Sequence, residues 1–347
     1  MCVLLTALKI PHLPLDRPSF NDDEVLSDAL RLAGAVMHFA GVNRGTDEEI
    51  HAGNVELAER LRHAMDEVGS HAPVLFSSSI QRDRDNVYAR SKNRAAQILS
   101  SGKAPVAELV LPHIFGEGGR ENYNSVIQTF CARAARGASC EIAQDGEIEP
   151  IHAQRLCEKI LEILRQGRTG LCRVEGRTMS VSQMLSRLEQ MAETYRTGIL
   201  PDLRDDFDLD LFNTYRSYLY PGHYPVQLTR HSDPRGSLVE MVKEKNGGQV
   251  FFSTTVPGIT RGNHFHRHKV ERFLVVSGEA DIQLRHALSD DVTTFPVTGD
   301  APAFVDIPTL HAHSITNTGA GELLTLFWVH ELFDPDRPDT YAMEVRS

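Results

Sequence analysis

Apolar positions in the first two thirds of the chain follow two alternating rhythms. Short apolar runs at Leu13–Leu15, Val36–Phe39, Val74–Ser77 and Leu109–Leu111 predict strands. Between them, apolar residues recur three and four apart, as at Val25, Leu26, Ala29 and Leu30, and predict helices. These helices cover Asp22–Leu32 (capped by Asn21 or Asp22), Glu49–Val68, Tyr88–Leu99 and Ser125–Arg136. Three more are expected over Ile151–Arg165, Val181–Tyr195 and Phe207–Tyr218. Strand and helix in alternation predict a parallel sheet covered by helices on both faces.

After Tyr220-Pro221-Gly222 the rhythm changes. Short alternating runs at Val250–Thr255, Phe273–Val276, Ile282–Leu284, Ala303–Ile307 and Leu323–Val329 lie between Gly, Pro, Asn and Asp turns. That pattern predicts an antiparallel barrel or sandwich. The expected division is therefore residues 1–221, α/β, and residues 222–347, all-β. A length of 347 residues agrees, since it exceeds what one ordinary core organises.

Charge and cysteine usage narrow the function classes. A net charge of −11 argues against a duplex-binding protein, although local arginines can still receive an anionic small molecule. No apolar run is long enough to span a membrane. The opening residues Met1–Ile10 lack the basic leader and cleavage site of a signal peptide. Cys2, Cys131, Cys140, Cys157 and Cys172 form no paired motif, which fits a reducing compartment. A cytoplasmic enzyme is the expectation.

Candidate chemistry is concentrated in two places. The all-β half carries Gly258-x5-His264-x-His266-x4-Glu271-x6-Gly278, then Pro308-x4-His313-x3-Asn317. Histidines two apart on a strand share a face, and His313 can approach from a facing hairpin. Three imidazoles and a carboxylate without cysteine suit zinc, iron, manganese or nickel. The plainer alternative is a run of surface histidines, for His268 and His286 also lie here. In the α/β half, Ser77-Ser78-Ser79 ends a strand, and Tyr88 and Lys92 stand one turn apart on the following helix. An ammonium beside a phenol lowers its pKa toward the working range and makes it a usable acid or base. The alternative is a solvated helix face.

The residues Phe39-Ala40-Gly41, Ser77-Ser78-Ser79 and Tyr88-x3-Lys92 resemble the extended short-chain dehydrogenase/reductases, a Rossmann-like fold. His38–Arg44, Ser77–Gln81 and Asn122–Ile127 are similar to one group within them, the CapF-type enzymes of bacterial capsule and O-antigen synthesis. Gly262-Asn263-His264, Glu271–Gly278, Phe333-Asp334-Pro335 and Pro338-Asp339-Thr340-Tyr341 extend the likeness through the second half, which in that group is a cupin barrel, a jelly roll. The resemblance implies a bifunctional enzyme acting on a UDP-4-keto-6-deoxy-N-acetylhexosamine. Its cupin would epimerise C3, and its reductase would reduce C4 with NADPH, giving UDP-N-acetyl-6-deoxy-L-talosamine. A C4 ketone acidifies the C3–H, so the pairing is chemically coherent.

The resemblance also implies residue roles. Tyr88 would protonate the C4 oxygen, Lys92 would tune Tyr88 and hold the nicotinamide ribose, and Ser79 would bind the carbonyl. Ala40, Gly41 and Pro112 would contact the cofactor. Arg17, just after the first strand candidate, would read the 2′-phosphate, unless it is an ordinary surface arginine. His264, His266, Glu271 and His313 would hold a divalent metal, zinc above all, either as a Lewis acid or as a structural ion. Lys269 is a candidate epimerising base, or else a solvated strand charge. Asp233-Pro234-Arg235-Gly236-Ser237 resembles the opening strand of cupin-class nucleotide-sugar epimerases, with Arg235 a candidate phosphate contact or equally a turn-stabilising residue. A homodimer or higher homo-oligomer is expected, with no nucleic-acid or membrane partner.

Three departures qualify this picture. A Rossmann domain should open on a strand and a Gly-rich turn that cradles the pyrophosphate, and none is present. Met1–Lys9 reads instead as the remains of a first helix running into the second strand. Either the start codon has been placed late, or the domain has lost its first strand and much of its dinucleotide affinity. Leu310 and Pro302 stand where the second cupin motif usually has glycine, which makes His311 a rival ligand to His313. His113 follows Pro112 where that group tends to carry asparagine. Two other functions stay open: a metal-dependent cupin oxygenase, and a nucleotide-sugar binding protein with a decayed reductase domain.

Overall fold

The computed structural model describes residues 1–234, 236–244 and 247–346. It separates into two compact units, Met1–Ile114 with Glu149–Thr178, and Phe115–Ile148 with Met179–Ser347. This differs from a single cut at residue 222. The helices Val126–Ala135, Val181–Arg196 and Asp206–Ser217 bury Phe130, Leu188, Leu211 and Phe212 in one cluster with Val270 and Trp328 of the β region. Removing that apolar surface from water binds them to the second unit whatever their place in the sequence.

The first unit is built on a four-stranded parallel sheet in the order Val36–His38, Val74–Ser79, Val106–Leu111, Gly170–Arg173. Val74, Leu75, Phe76, Leu109 and Val110 are all buried, as a sheet with both faces covered requires. The helix Asp47–Glu67 starts at a reciprocal capping box between Thr46 and Glu49. It packs on the helix Val87–Ser100 around the small residues Ala58, Ala95 and Ala96.

Two expectations for the N-terminal region fail. Leu13–Leu15 forms no strand, and Leu13 is 67% exposed. Pro11, Pro14 and Pro18 crowd this stretch, and proline cannot donate to a ladder. Asp16 instead caps the short helix Arg17–Asn21, so Arg17 opens a helix and does not follow a strand. Met1–Lys9 does contain a helix, Cys2–Ala7, which buries Leu4 and Leu5 against Leu161. No strand follows it. Val36–His38 is therefore the edge of the described sheet.

The second unit holds two antiparallel five-stranded sheets. One runs Val226–Gln227, Ala303–Ile307, Glu271–Ser277, Leu323–Val329, Gln249–Thr255. The other runs Val292–Thr298, Glu279–His286, His311–Asn317, Thr260–Phe265, Tyr341–Ala342. Phe273, Val275 and Phe327 of the first pack with Ile282, Leu284 and Ile315 of the second, so the sheets face each other across one apolar core. Among the described residues no helix is long and apolar enough to cross a membrane.

Candidate functional site

His264, His266, Glu271 and His313 converge between the two sheets, with one ligand atom from each lying within 4.8 Å of all the others. Backbone irregularity makes this possible. The strand Thr260–Phe265 shifts register against His311–Asn317 between Gly262 and His264. Gly262 (φ 102°) and Asn263 (φ 59°) take the bulge in the left-handed region. A Cβ on Gly262 would stand 2.6 Å from the His313 carbonyl oxygen, so only glycine lets the two histidine strands approach. His266 lies just past the strand end, and Glu271 opens the facing strand.

The Glu271 carboxylate sits between two imidazoles, 3.1 Å from His266 Nε2 and 3.3 Å from His313 Nε2. Burial alone would raise its pKa, but the hydrogen bonds and charges of His266 and His313 outweigh it and hold the group below the usual carboxylate range. Burial, followed by the neighbouring His313 and His266, pushes the His264 imidazole down to about 4, which keeps it neutral. Three imidazoles and a carboxylate form a donor set that fits a divalent cation, and no cysteine takes part.

His311, the rival ligand, is outside this group. Its Nδ1 donates to the Thr309 carbonyl at 2.9 Å, and its ring meets Tyr220 edge-on at 4.7 Å. His268 and His286 are outside it as well. Leu310 occupies the left-handed region at φ 62°, so the position does have the backbone that glycine would relieve. The Lys269 ammonium donates to the Pro338 carbonyl at 2.9 Å and faces Glu331 at 3.9 Å. Arg235 lies outside the described residues.

The expected helix over Phe207–Tyr218 forms as Asp206–Ser217, but sequence reading missed that its polar side chains hold the loop between His266 and Glu271. Asn213 donates to the His268 carbonyl at 2.9 Å, and Arg216 donates to the carbonyls of Ile307 at 2.6 Å and Lys269 at 3.3 Å. Arg216 is 1% exposed and also donates to Asn213 Oδ1. An arginine and an asparagine inside an otherwise apolar helical stripe were the available signal.

In the first unit Ser79, Tyr88 and Lys92 lie at a strand end and on the helix that follows, but none hydrogen-bonds another among the described residues. Ser79 Oγ accepts from the Gln81 amide. The Lys92 ammonium is buried 4.2 Å from the Phe76 ring centroid. It also lies 3.5 Å from where a Cβ on Gly41 would be, so it reaches the loop after Val36–His38. Burial pushes Lys92 down to about 8, partly offset by Glu108. The Tyr88 phenol is shifted upward by burial, opposite to the lowering expected from a neighbouring lysine, because the ammonium lies at Phe76 and Gly41.

Asn54 was also missed. Its side chain bonds Val42 N and O, Ile50 O and Ser91 Oγ at 2.7–3.1 Å, stapling the loop that carries Gly41 to the Tyr88 helix. Its signal was a polar residue at the inward spacing of Ile50, Ala58 and Leu61.

Gly41, Lys92, Ser79 and Tyr88 suit the nicotinamide ribose. Ala40 is exposed and Pro112 buried, both beyond strand ends, while Arg17 is exposed on its own helix. Among the described residues no Gly-rich strand–turn–helix adjoins the Val36–His38 edge.

Comparison with known proteins agrees with both halves. Residues 231–341 match the family described as "Polysaccharide biosynthesis C-terminal domain". UDP-2-acetamido-2,6-beta-L-arabino-hexul-4-ose reductase of Pseudomonas aeruginosa is 32% identical over 329 residues, covering 92% of this chain and 88% of that one. The spore coat polysaccharide biosynthesis protein SpsL of Bacillus subtilis is 26% identical over 123 residues, 33% of this chain and 82% of that one. The crystal structure of the capsular polysaccharide assembling protein CapF from Staphylococcus aureus is 34% identical, with a TM-score of 0.58 over 94% of this chain and 91% of that one.

Proposed function

The chain belongs to the CapF-type family of capsular-polysaccharide UDP-sugar enzymes, and from that premise we propose a two-step catalyst for a UDP-4-keto-6-deoxy-N-acetylhexosamine. Residues 222–347, as a cupin barrel, epimerise C3. The α/β region that carries Ser79, Tyr88 and Lys92, as a short-chain reductase, reduces C4 with NADPH to give UDP-N-acetyl-6-deoxy-L-talosamine. The observation that carries the reading is the convergence of His264, His266, Glu271 and His313 on one point between the two sheets.

Those four residues would hold a divalent metal, zinc by donor type, which supplies either polarisation of the sugar carbonyl or a brace for the barrel. Four protein donors favour the brace. Lys269 is the weaker part of the scheme, since its ammonium is engaged by Pro338 and Glu331. In the reductase half, bound NADPH would supply the hydride. Burial keeps Tyr88 protonated at neutral pH, which suits it to donate its proton to the C4 oxygen. Ser79 would hold that oxygen, and Lys92 would meet the nicotinamide ribose beside Gly41.

A second reading has the epimerase or a nucleotide-sugar binding site working beside a silent reductase, and the Lys92 ammonium, turned to Phe76 and away from Tyr88, favours it. A homodimer in the cytoplasm completes the proposal. The edge strand Gln249–Thr255 exposes Val250, Phe251 and Phe252, an apolar edge that a second copy would cover.

Incubating the UDP-4-keto sugar with the protein in deuterated water, with and without NADPH, tests each half. Deuterium at C3 without cofactor establishes the epimerase, and NADPH oxidation establishes the reductase. Exchange without oxidation selects the second reading, and no exchange at all overturns the epimerase.

A further inference from the structure

Asp339 is 68 residues from Glu271 in sequence, yet it makes more bonds to the ligand loop than any ligand does. Its main-chain carbonyl lies 2.6 Å from His266 Nδ1. A carbonyl can only accept, so Nδ1 carries a proton, and Nε2 is the nitrogen left to ligate a metal. Nε2 is the atom that faces Glu271, 3.1 Å away. Asp339 thus holds the imidazole with Nε2 turned toward Glu271.

The Asp339 side chain holds the loop beyond His266. Its Oδ1 accepts from the Arg267 amide at 3.1 Å, and its Oδ2 accepts from the amides of His268 and Lys269, each at 2.9 Å. Three successive N–H groups closing on one carboxylate are charge-assisted bonds, and they fix the turn between His266 and Glu271. Lys269 returns the contact by donating to the Pro338 carbonyl, and Thr340 Oγ1 donates to the same atom. Asp339 adopts a left-handed backbone, φ 42°, strained for an aspartate, and this turn presents carbonyl and carboxylate together.

We propose that Asp339 is a positioning residue of the metal site, holding the His266 imidazole and the loop to Glu271 in ligating geometry from the C-terminal segment. This rests on the metal reading above, which concerns the four ligands alone. It also gives a physical role to the Pro338-Asp339-Thr340-Tyr341 stretch. Outer partners of ligating histidines orient the ring, and their loss weakens metal binding by about 10- to 100-fold.

The test uses the full chain with cobalt(II) as the probe, comparing wild type, Asp339→Asn and Asp339→Ala. The readouts are cobalt affinity by chelator competition, the visible spectrum of the bound ion, and the melting temperature of the metal-free protein. Asp339→Ala is expected to bind cobalt about 10- to 100-fold more weakly with an altered spectrum. Asp339→Asn keeps one acceptor oxygen and should fall between the two, which serves if the alanine variant does not fold. A lower melting temperature with unchanged affinity and spectrum in both variants makes Asp339 a purely structural residue and overturns the proposal. A wild type that takes up no cobalt overturns the metal reading itself.

Discussion

Arg272 and Asp306 meet across adjacent strands with both side chains out of water: Nε to Oδ1 is 2.6 Å, Nη2 to Oδ2 is 2.9 Å, and the residues are 1% and 0% exposed. The guanidinium also lies 3.5 Å over the Phe304 ring centroid. Tyr195 donates to the Asp306 carboxylate and shares a 2.8 Å hydrogen bond with Tyr224. Side chains alternate along a strand, so the register that aims Glu271 at the histidines turns Arg272 to the opposite face. The pair thus anchors the back of the strand that presents Glu271.

Removing one partner strands a buried charge. Asp306→Ala should lower unfolding stability by about 3–5 kcal/mol, measured by urea denaturation. Replacing both, Arg272→Met with Asp306→Leu, removes the uncompensated charge and should recover most of that loss. A double variant as unstable as the single one would show that desolvated charge is not the cause.

Gly262 is the second point where the site depends on one residue. Gly262→Ala adds a Cβ 2.6 Å from the His313 carbonyl at a backbone angle that L-residues rarely take. The angle alone costs about 1–3 kcal/mol, and the collision pushes the two histidine strands apart. Melting temperature should fall and cobalt affinity should fall with it. Wild-type affinity in a destabilised Gly262→Ala protein would mean that this close approach does not set the ligand geometry.

The same residues show why the sequence was readable in some places and not in others. Ala303–Ile307 and Leu323–Val329 were predicted to the residue because their apolar positions fill the core. Thr260–Phe265 and His311–Asn317 were given no bounds, only strand positions for His264 and His313, because histidine and asparagine take inward positions that would otherwise be apolar. The clustering of His264, His266, Glu271 and His313 was legible from spacing, since they are local to two strand pairs. The residues that hold it, Asn213, Arg216 and Asp339, come from distant segments, and no periodicity connects them. Leu13–Leu15 failed for another reason: prolines interrupt the run, Leu13 stays exposed, and Leu15 alone packs against the core.

Arg216 links the helix Asp206–Ser217 to the ligand loop through two carbonyls. Arg216→Met keeps the buried apolar stem and leaves the carbonyls of Ile307 and Lys269 without that donor. Each unsatisfied buried acceptor costs about 1–3 kcal/mol. The expected result is a cooperative transition at lower urea with unchanged slope. An unchanged midpoint would indicate that water or another donor replaces the guanidinium without loss.

Lys92 provides a pH test confined to the first unit. Its pKa is about 8 in the folded protein against 10.5 for an unperturbed lysine, with burial as the main cause and Glu108 opposing it. Between those values the unfolded chain holds the proton and the folded protein does not, so stability rises with pH across the window. The contribution is fully present above the unfolded pKa and is lost as pH falls through about 8, where the buried ammonium must be kept charged. The full span corresponds to an effect on the order of 3 kcal/mol. Lys92→Met, which fills similar space without a charge, should therefore be more stable than wild type at neutral pH, and its advantage should shrink as pH approaches 10. Urea unfolding of both proteins across this range measures the difference directly, which cancels the other groups that titrate there. Parallel stability curves for the two would mean that Lys92 is as well solvated as a surface lysine. A buried, readily deprotonated amine beside Gly41 would then no longer be available to the reductase chemistry.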